Sequence, residues 1–500
     1  MKVYTFVPFG YEGSLVNVEV DLRSGIPAFD IIGLSDSKVK ETRERVRCAF
    51  SNSGIDFPAE RVLTALSPYD LRKDCVMDVA IAAGILTQQV KNATDESVLV
   101  LGELDSRGKV HPVRGVHAAL STAIATGITK AIVPFENANE CQAMDIELVL
   151  VQSLNDVKNA IELGGFYKMD YQNDYEYEKK DEVLGIEFAP LTQELDKLPT
   201  GYDKAIWAMT VAAAGGHHMI FTGNPSCDKS LLMKRMPWLV PINTIEEAQT
   251  VTRIWSLAGL VNPTDSLHTY KPFRMPHQTV TIEGICGGGP NCRPGEISLA
   301  HNGILFLDDA AEFRTSVLQI LRVPLESHSI TLSRAGRSTS YPANFQLLMA
   351  TNPCPCGNFG NNDRICLCTA SSIKKYWNKL TGPLLDRIDI RVHVKKGESV
   401  SQSIKVLRES IAKAIIMQRK RGKKNNDLTP IELAEFCKID KECQSILDRA
   451  VVKYSFSPRA VNSILKLART IADMELKDSI EVQHIKSAIK LRQPLSPFEK

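Results

Sequence analysis

Apolar and polar positions along this chain repeat with two periods, and the changes of period mark its elements. "LVNVEVDL" (15–22) alternates with period two and reads as a half-buried strand. "DSKVKETRERVRCAFSNSG" (36–54) spaces its apolar residues as an amphipathic helix and stops at Asn-Ser-Gly. "VMDVAIAAGILTQQ" is a buried apolar helix, and "KAIVPFENANECQAM" pairs a short strand with a helix. This alternation predicts an α/β or α+β unit over residues 1–165. Residues 166–185, "FYKMDYQNDYEYEKKDEVLG", are polar, charged and Tyr-rich, and read as a linker.

Beyond it the pattern changes. "GYDKAIWAMTVAAAGG" is a helix ended by Gly215 and Gly216, and "HHMIFTG" is a short buried strand. "NGILFLDDA" (302–310) and "NFQLLMATNP" (344–353) are two more such strands. After about residue 400 nearly everything is helical pattern, most clearly "VSQSIKVLRESIAKAIIMQRKR" and "SPRAVNSILKLARTIADMEL". The expected fold class is α/β. A core with a parallel sheet spans residues 186–395, and a helical lid spans 396–500.

Length and composition narrow this little. Five hundred residues suit two to four domains, and 44% apolar with 24% charged residues is ordinary for globular proteins. A net charge of +2 supplies no global attraction to nucleic acid, so any phosphate binding must be local. The N-terminal residues lack an apolar signal region, and no apolar run approaches the length of a membrane span. A cytoplasmic protein with no membrane partner is expected. Its 12 cysteines then read as thiols or metal ligands rather than disulfides.

The chemistry gathers after the three short strands. "FTGNPSCDKSLLMK" fits the phosphate-loop pattern G-x-x-x-x-G-K-[ST] at Gly223, Lys229 and Ser230, with Asn224, Pro225, Ser226 and Cys227 between, but Asp228 stands at the second glycine. In such a loop N–H groups cradle phosphates, the lysine adds charge and the hydroxyl holds Mg²⁺. "ILFLDD" supplies Asp308 for Mg²⁺ and Asp309 at the place usually held by the glutamate that orients the attacking water. Asn352 ends the third strand, placed like a sensor of the γ-phosphate. Arg387 follows between two aspartates, and Arg459 opens a lid helix. One such motif is weak; five in this order indicate an AAA+ ATPase core using ATP and Mg²⁺.

These residues resemble the ComM/YifB family of Mg-chelatase-like AAA+ proteins. The likeness is carried by "GLSDSKVKETRERVRCAFSNSGIDFPAERV", "SPYDLRKDCVMDVAIAAGIL" and "LGELDSRGKVHPVRGV" in the first unit. In the core it rests on "AAAGGHH", "FRMPHQT", "RPGEISLAHNGILFLDDAAEF", "ATNPCPCG" and "LTGPLLDRIDIRV". The resemblance implies a Lon-protease-like (S5-like) N-terminal domain and a hexameric ring of identical chains. It also implies a motor for branch migration on single-stranded or branched DNA during natural transformation. By similarity Arg387 is the arginine finger for a neighbour's ATP and Arg459 the sensor 2 residue. "SITLSRAGRSTSYP" resembles the hairpin that related helicases point into their channel, which makes Arg334 and Arg337 DNA-contact candidates. A ring subunit with a decayed site, co-assembled with an active paralogue, is the alternative. A magnesium-chelatase subunit of tetrapyrrole synthesis ranks last, because that subunit lacks the Lon-like domain.

Three departures fall on ATP chemistry. A carboxylate at Asp228, about 4 Å from a phosphate charge, costs roughly 4 kcal/mol at an effective dielectric near 20. It costs less if it points away or pairs with Lys229. Asp309 is one methylene shorter than glutamate, with Glu312 nearby in sequence. The family's V-x-G-Q turn is not recognisable in "FAPLTQELDKLPTGYDKA". Weakened nucleotide binding or hydrolysis is the expectation. Elsewhere, Cys354, Cys356, Cys366 and Cys368 form two C-x-C pairs, candidates for a structural Zn²⁺. His217, His218 and His277 show no metal spacing and read as packing residues. Ser67 and Lys73 lie near each other, but "SPYDLRKDC" does not resemble the Lon serine motif, so no protease activity is expected. The basic run 418–427 reads as a helix end and solvated loop, with a DNA contact as the lesser alternative.

Overall fold

The computed structural model describes residues 1–68, 77–90, 96–169, 180–261, 267–334, 336–361, 364–380, 382–397 and 401–495. Lys73, and with it the Ser67–Lys73 pair, lies outside the described residues.

The first unit is built on an eight-stranded mixed sheet. Its order is Tyr167–Lys168, Glu147–Val151, Lys130–Pro134, Ser97–Val100, Lys2–Val7, Ser14–Arg23, Arg61–Ser67 and Ala28–Ile32. Successive residues of a strand face opposite sides. Val98, Val100 and Ile132 therefore pack with helices Asp36–Asn52 and Asp78–Gln89. Leu99, Ala131 and Val133 join the core on the other face with helix Val116–Ala125. Covering both faces explains why the central strands are apolar without alternation. The helix read after Lys130–Pro134 is instead a 3₁₀ helix, Phe135–Cys141. Its shape is fixed by tertiary bonds: Asn137 Oδ1 accepts the Val113 N–H, and Asn137 Nδ2 donates to the Val113 carbonyl.

The charged stretch 166–185 carries short strands at both ends. Tyr167–Lys168 edges the first sheet, and Asp181–Val183 pairs with Ile186–Phe188. Phe188 is fully buried in the core of the second half.

That second half holds a five-stranded parallel sheet ordered Phe273–Arg274, Ile304–Leu307, Gln346–Thr351, Met219–Thr222, Ile390–His393. Chain order along the sheet reverses at Met219–Thr222. A crevice for ligands opens beyond the C-terminal ends of strands at such a point. Helices Ile404–Arg421, Lys441–Tyr454, Pro458–Met474 and Val482–Leu491 form the lid, packed through Ile411, Leu447, Ile464 and Ile485 into one core with Ala208 and Val211. Those last residues belong to helix Asp203–Gly215, whose run of alanines permits close approach; Gly216 caps it in the left-handed conformation.

Helix Ile245–Ala258 joins the halves. Its Arg253 donates to the Tyr11 carbonyl at 3.0 Å, and its Ser256 hydroxyl donates to Glu140 at 3.0 Å. Apolar residues of both halves form a continuous cluster, including Leu99 and Leu120 with Leu305 and Leu347. Among the described residues no helix is long and apolar enough to cross a membrane.

Candidate nucleotide site

Strand Met219–Thr222 is buried along its whole length and delivers the chain into the loop at residues 223–228. Gly223 is needed for its lack of a side chain, since a Cβ there would lie 2.6 Å from the Val394 carbonyl oxygen. Asn224 is half-buried, Pro225 and Ser226 are exposed, and Cys227 is buried. Asp228 sits at φ 39°, ψ 25°, the left-handed conformation a glycine would adopt there. Aspartate enters that region at lower cost than most residues, so the loop keeps its path. The carboxylate is turned to Tyr202, whose hydroxyl donates to Asp228 Oδ2 at 3.0 Å.

Helix Lys229–Met233 follows. The Lys229 ammonium folds back into the loop. It donates to the carbonyls of Gly223 at 2.7 Å and Asn224 at 2.8 Å, and to Asn352 Oδ1 at 3.2 Å. Burial lowers its pKa, against the pull of the neighbouring carboxylates. Ser230 donates its hydroxyl proton to Asp308 Oδ1 at 2.7 Å, and the Asp309 N–H donates to that same oxygen at 3.2 Å. Asn352 Nδ2 closes the circuit on Asp309 Oδ1 at 3.3 Å. Burial, followed by the charge of Asp308, raises the pKa of Asp309. A hydroxyl and a carboxylate this close are the oxygen donors Mg²⁺ takes alongside phosphate and water. Glu312 is exposed and turned toward Lys379 Nζ at 4.0 Å, so it does not replace Asp309.

Topology separates the arginines from this cluster. In a parallel sheet Asp308, Asn352 and the loop all follow their strands, whereas Arg387 precedes Ile390–His393 and so lies toward the opposite, N-terminal end of the strands. Its guanidinium meets Glu326 Oε1 at 2.6 Å, and Arg459 reaches the same oxygen at 2.7 Å. These two arginines hold the Glu326 carboxyl below its usual pKa. The flanking aspartates are engaged elsewhere. Asp386 accepts from Ser457 at 3.0 Å and Asp389 from Ser463 at 2.6 Å, which ties both to the lid helix Pro458–Met474.

The four cysteines converge. Cys354, Cys356 and Cys366 have sulfurs 3.4–3.7 Å apart, and all four ligand atoms, Cys368 included, fall within 4.8 Å of one another. Four sulfurs each about 2.3 Å from one Zn²⁺ stand about 3.8 Å apart in a tetrahedron, so the cluster fits the ion. Backbone N–H groups point at the sulfurs as they do around bound thiolates. Phe359 N donates to Cys354 Sγ at 3.3 Å, and the Asn358 N–H is the first cause of a Cys356 pKa lowered to about 6. The cluster abuts the phosphate loop: a Cβ on Gly357 would lie 2.6 Å from Pro225.

The hairpin Ser329–Arg334 and Arg337–Pro342 forms in register, with Arg334 opposite Arg337. Arg334 is exposed, while Arg337 lies over the Phe9 ring at 5.4 Å. His217 and His218 are buried packing residues, bonded to Thr470 and to the Leu347 N–H. His277 contacts Thr279 at 2.9 Å. In the basic run the helix ends at Arg421, and Arg419, Lys420 and Lys424 are exposed; Arg421 pairs with Asp473, Lys423 with Glu432 and Lys424 with Glu247. Two residues of consequence, Tyr202 and Glu326, had no sequence signal beyond a glycine before a helix start and an acidic residue in a short helix.

The description "Magnesium chelatase, subunit ChlI" matches residues 197–402, "Subunit ChlI of Mg-chelatase" residues 18–137, and "Magnesium chelatase, subunit ChlI C-terminal" residues 401–492. Competence protein ComM of Haemophilus influenzae is 34% identical over 100% of this chain and 98% of its own. Uncharacterized protein YifB of Escherichia coli is 34% identical over 98% of this chain and 96% of its own. A shorter match, 33% identity over 85 residues, links 17% of the chain to 15% of Lon protease 2 from Bacillus subtilis.

Proposed function

We propose a function from the premise that this chain belongs to the ComM/YifB family of Mg-chelatase-like AAA+ proteins: it is a ring-forming ATPase that moves single-stranded or branched DNA. The observation that carries the proposal is the closed circuit of Lys229, Ser230, Asp308, Asp309 and Asn352 around one loop. In this reading the loop N–H groups and Lys229 bind the phosphates of ATP. Ser230 and Asp308 hold Mg²⁺, Asp309 orients the water, and Asn352 senses the γ-phosphate. Arg387, with Arg459 beside it on Glu326, stands toward the N-terminal end of the strands, away from the loop, which suits service to a neighbouring chain's nucleotide in a hexamer. Arg334, exposed at a hairpin tip, supports a phosphate contact to DNA; Arg337 is the weaker candidate because Phe9 occupies it. Zn²⁺ on the four cysteines is structural, since four thiolates leave no open position. The cytoplasm is its expected place of work.

The test is ATP hydrolysis by the full chain with and without branched DNA. Turnover stimulated by DNA and abolished in Asp308→Asn is the expected result. No turnover under any condition, with nucleotide or DNA still bound, favours a ring subunit that no longer hydrolyses ATP, a reading the Asp228 and Asp309 substitutions motivate.

A further inference from the structure

We infer that Tyr202 is a positioning residue for nucleotide: it holds the Asp228 carboxylate away from the phosphates and so keeps the altered loop competent to bind them. The inference rests on the nucleotide reading of the loop and adds to it the device that offsets its most damaging substitution.

The geometry begins with an anchored tyrosine. Tyr202 is 2% exposed and packs in the core with Ile206 and Leu198. The residue before it, Gly201, has φ 89°, and a Cβ there would lie 2.4 Å from the Gly397 carbonyl oxygen. The Gly201 carbonyl accepts the Gly397 N–H at 2.8 Å. Backbone and ring are thus both fixed, and the hydroxyl is a post whose position the loop cannot shift. Burial, then the bond to Asp228, raises the phenol pKa, so it stays a neutral donor.

Against that post stands an exposed aspartate on a left-handed backbone, 3.0 Å from the hydroxyl. Phosphate and carboxylate repel at short range. A hydrogen bond to a charged acceptor is among the stronger neutral–ion contacts. Tyr202 therefore fixes which way the charge points while Lys229, bonded to loop carbonyls and Asn352, stays free of Asp228. Asp228 stands where the phosphate-loop pattern calls for its second glycine.

The experiment is a double-mutant cycle on the full chain. It measures the Kd of a non-hydrolysable ATP analogue with Mg²⁺ in wild type, Tyr202→Phe, Asp228→Gly and the double variant. Tyr202→Phe keeps the buried ring and removes the hydroxyl. We expect it to weaken binding about tenfold, the size of one hydrogen bond to a charged group, with the loss shrinking as salt rises. Asp228→Gly should bind as tightly as wild type or tighter, and Tyr202→Phe should have no effect in that background. Unchanged binding in Tyr202→Phe overturns the inference. So does an equal loss in both backgrounds, which marks a purely structural role. If Asp228→Gly itself binds no nucleotide, the ATP reading falls and takes this inference with it.

Discussion

At the scale of single residues, the two aspartates that replace expected motif residues share a conformation. Asp228 has φ 39° and Asp309 φ 49°, both left-handed. Asp is one of the few non-glycine residues that visit this region at low cost. What differs is the side chain. Asp228 is tied back to Tyr202, whereas Asp309 faces the site and accepts from Asn352. Asp309→Asn should therefore lower kcat by on the order of a hundredfold, the usual worth of a positioned base, with little change in nucleotide Kd. Single-turnover hydrolysis beside a binding titration separates the two, and an unaltered kcat would remove Asp309 from the mechanism.

At the scale of elements, the third-strand extension matters most. Gln346–Thr351 delivers Asn352 to the circuit and continues at once into the cysteine loop. That loop is pinned on both sides. The Pro353 carbonyl accepts from the Trp377 indole at 3.0 Å, and Gly357 fits against Pro225. A metal held by the four cysteines would brace both Asn352 and the loop at residues 223–228. Elemental analysis should find one zinc per chain and none in Cys354→Ser. Stripping the metal with a strong chelator should weaken nucleotide binding; a metal-free protein of full affinity would contradict this. Element legibility followed length. Helices at residues 36–52, 203–215, 404–421 and 458–474 are long enough for their period to show. Among the short strands, Met219–Thr222 and Ile304–Leu307 are legible as unbroken apolar runs, whereas Phe273–Arg274 is two residues long and Ile390–His393 carries Arg391 and His393, so neither shows such a run and both pair only where a neighbouring strand offers a ladder.

At the scale of the whole molecule, the direction of the sheet sets the division of labour. The loop, Ser230, Asp308 and Asn352 lie at the C-terminal ends of the strands; Arg387 precedes its strand and shares Glu326 with Arg459. If Arg387 serves the nucleotide of a neighbouring chain, a strand rising about 3.3 Å per residue separates it from the loop of its own. Mixing two inactive variants, Lys229→Ala and Arg387→Ala, should restore part of the ATPase activity, because a mixed ring contains sites with an intact loop on one chain and an intact arginine on the next. No recovery over a range of ratios, with ring assembly verified by light scattering, would place Arg387 outside the neighbour's site.

The sequence by itself determined the order of the motifs, the strand-loop-helix setting of Lys229 and Ser230, and the pairing of cysteines. Those features depend on residue type and local spacing, which a linear string carries. Only the tertiary structure decided which way the Asp228 carboxylate faces, that Glu326 joins two arginines distant in sequence, and that Arg421, Lys423 and Lys424 pair with Asp473, Glu432 and Glu247. Each of these is a contact between residues brought together by packing, and its energy depends on distances that no local pattern encodes.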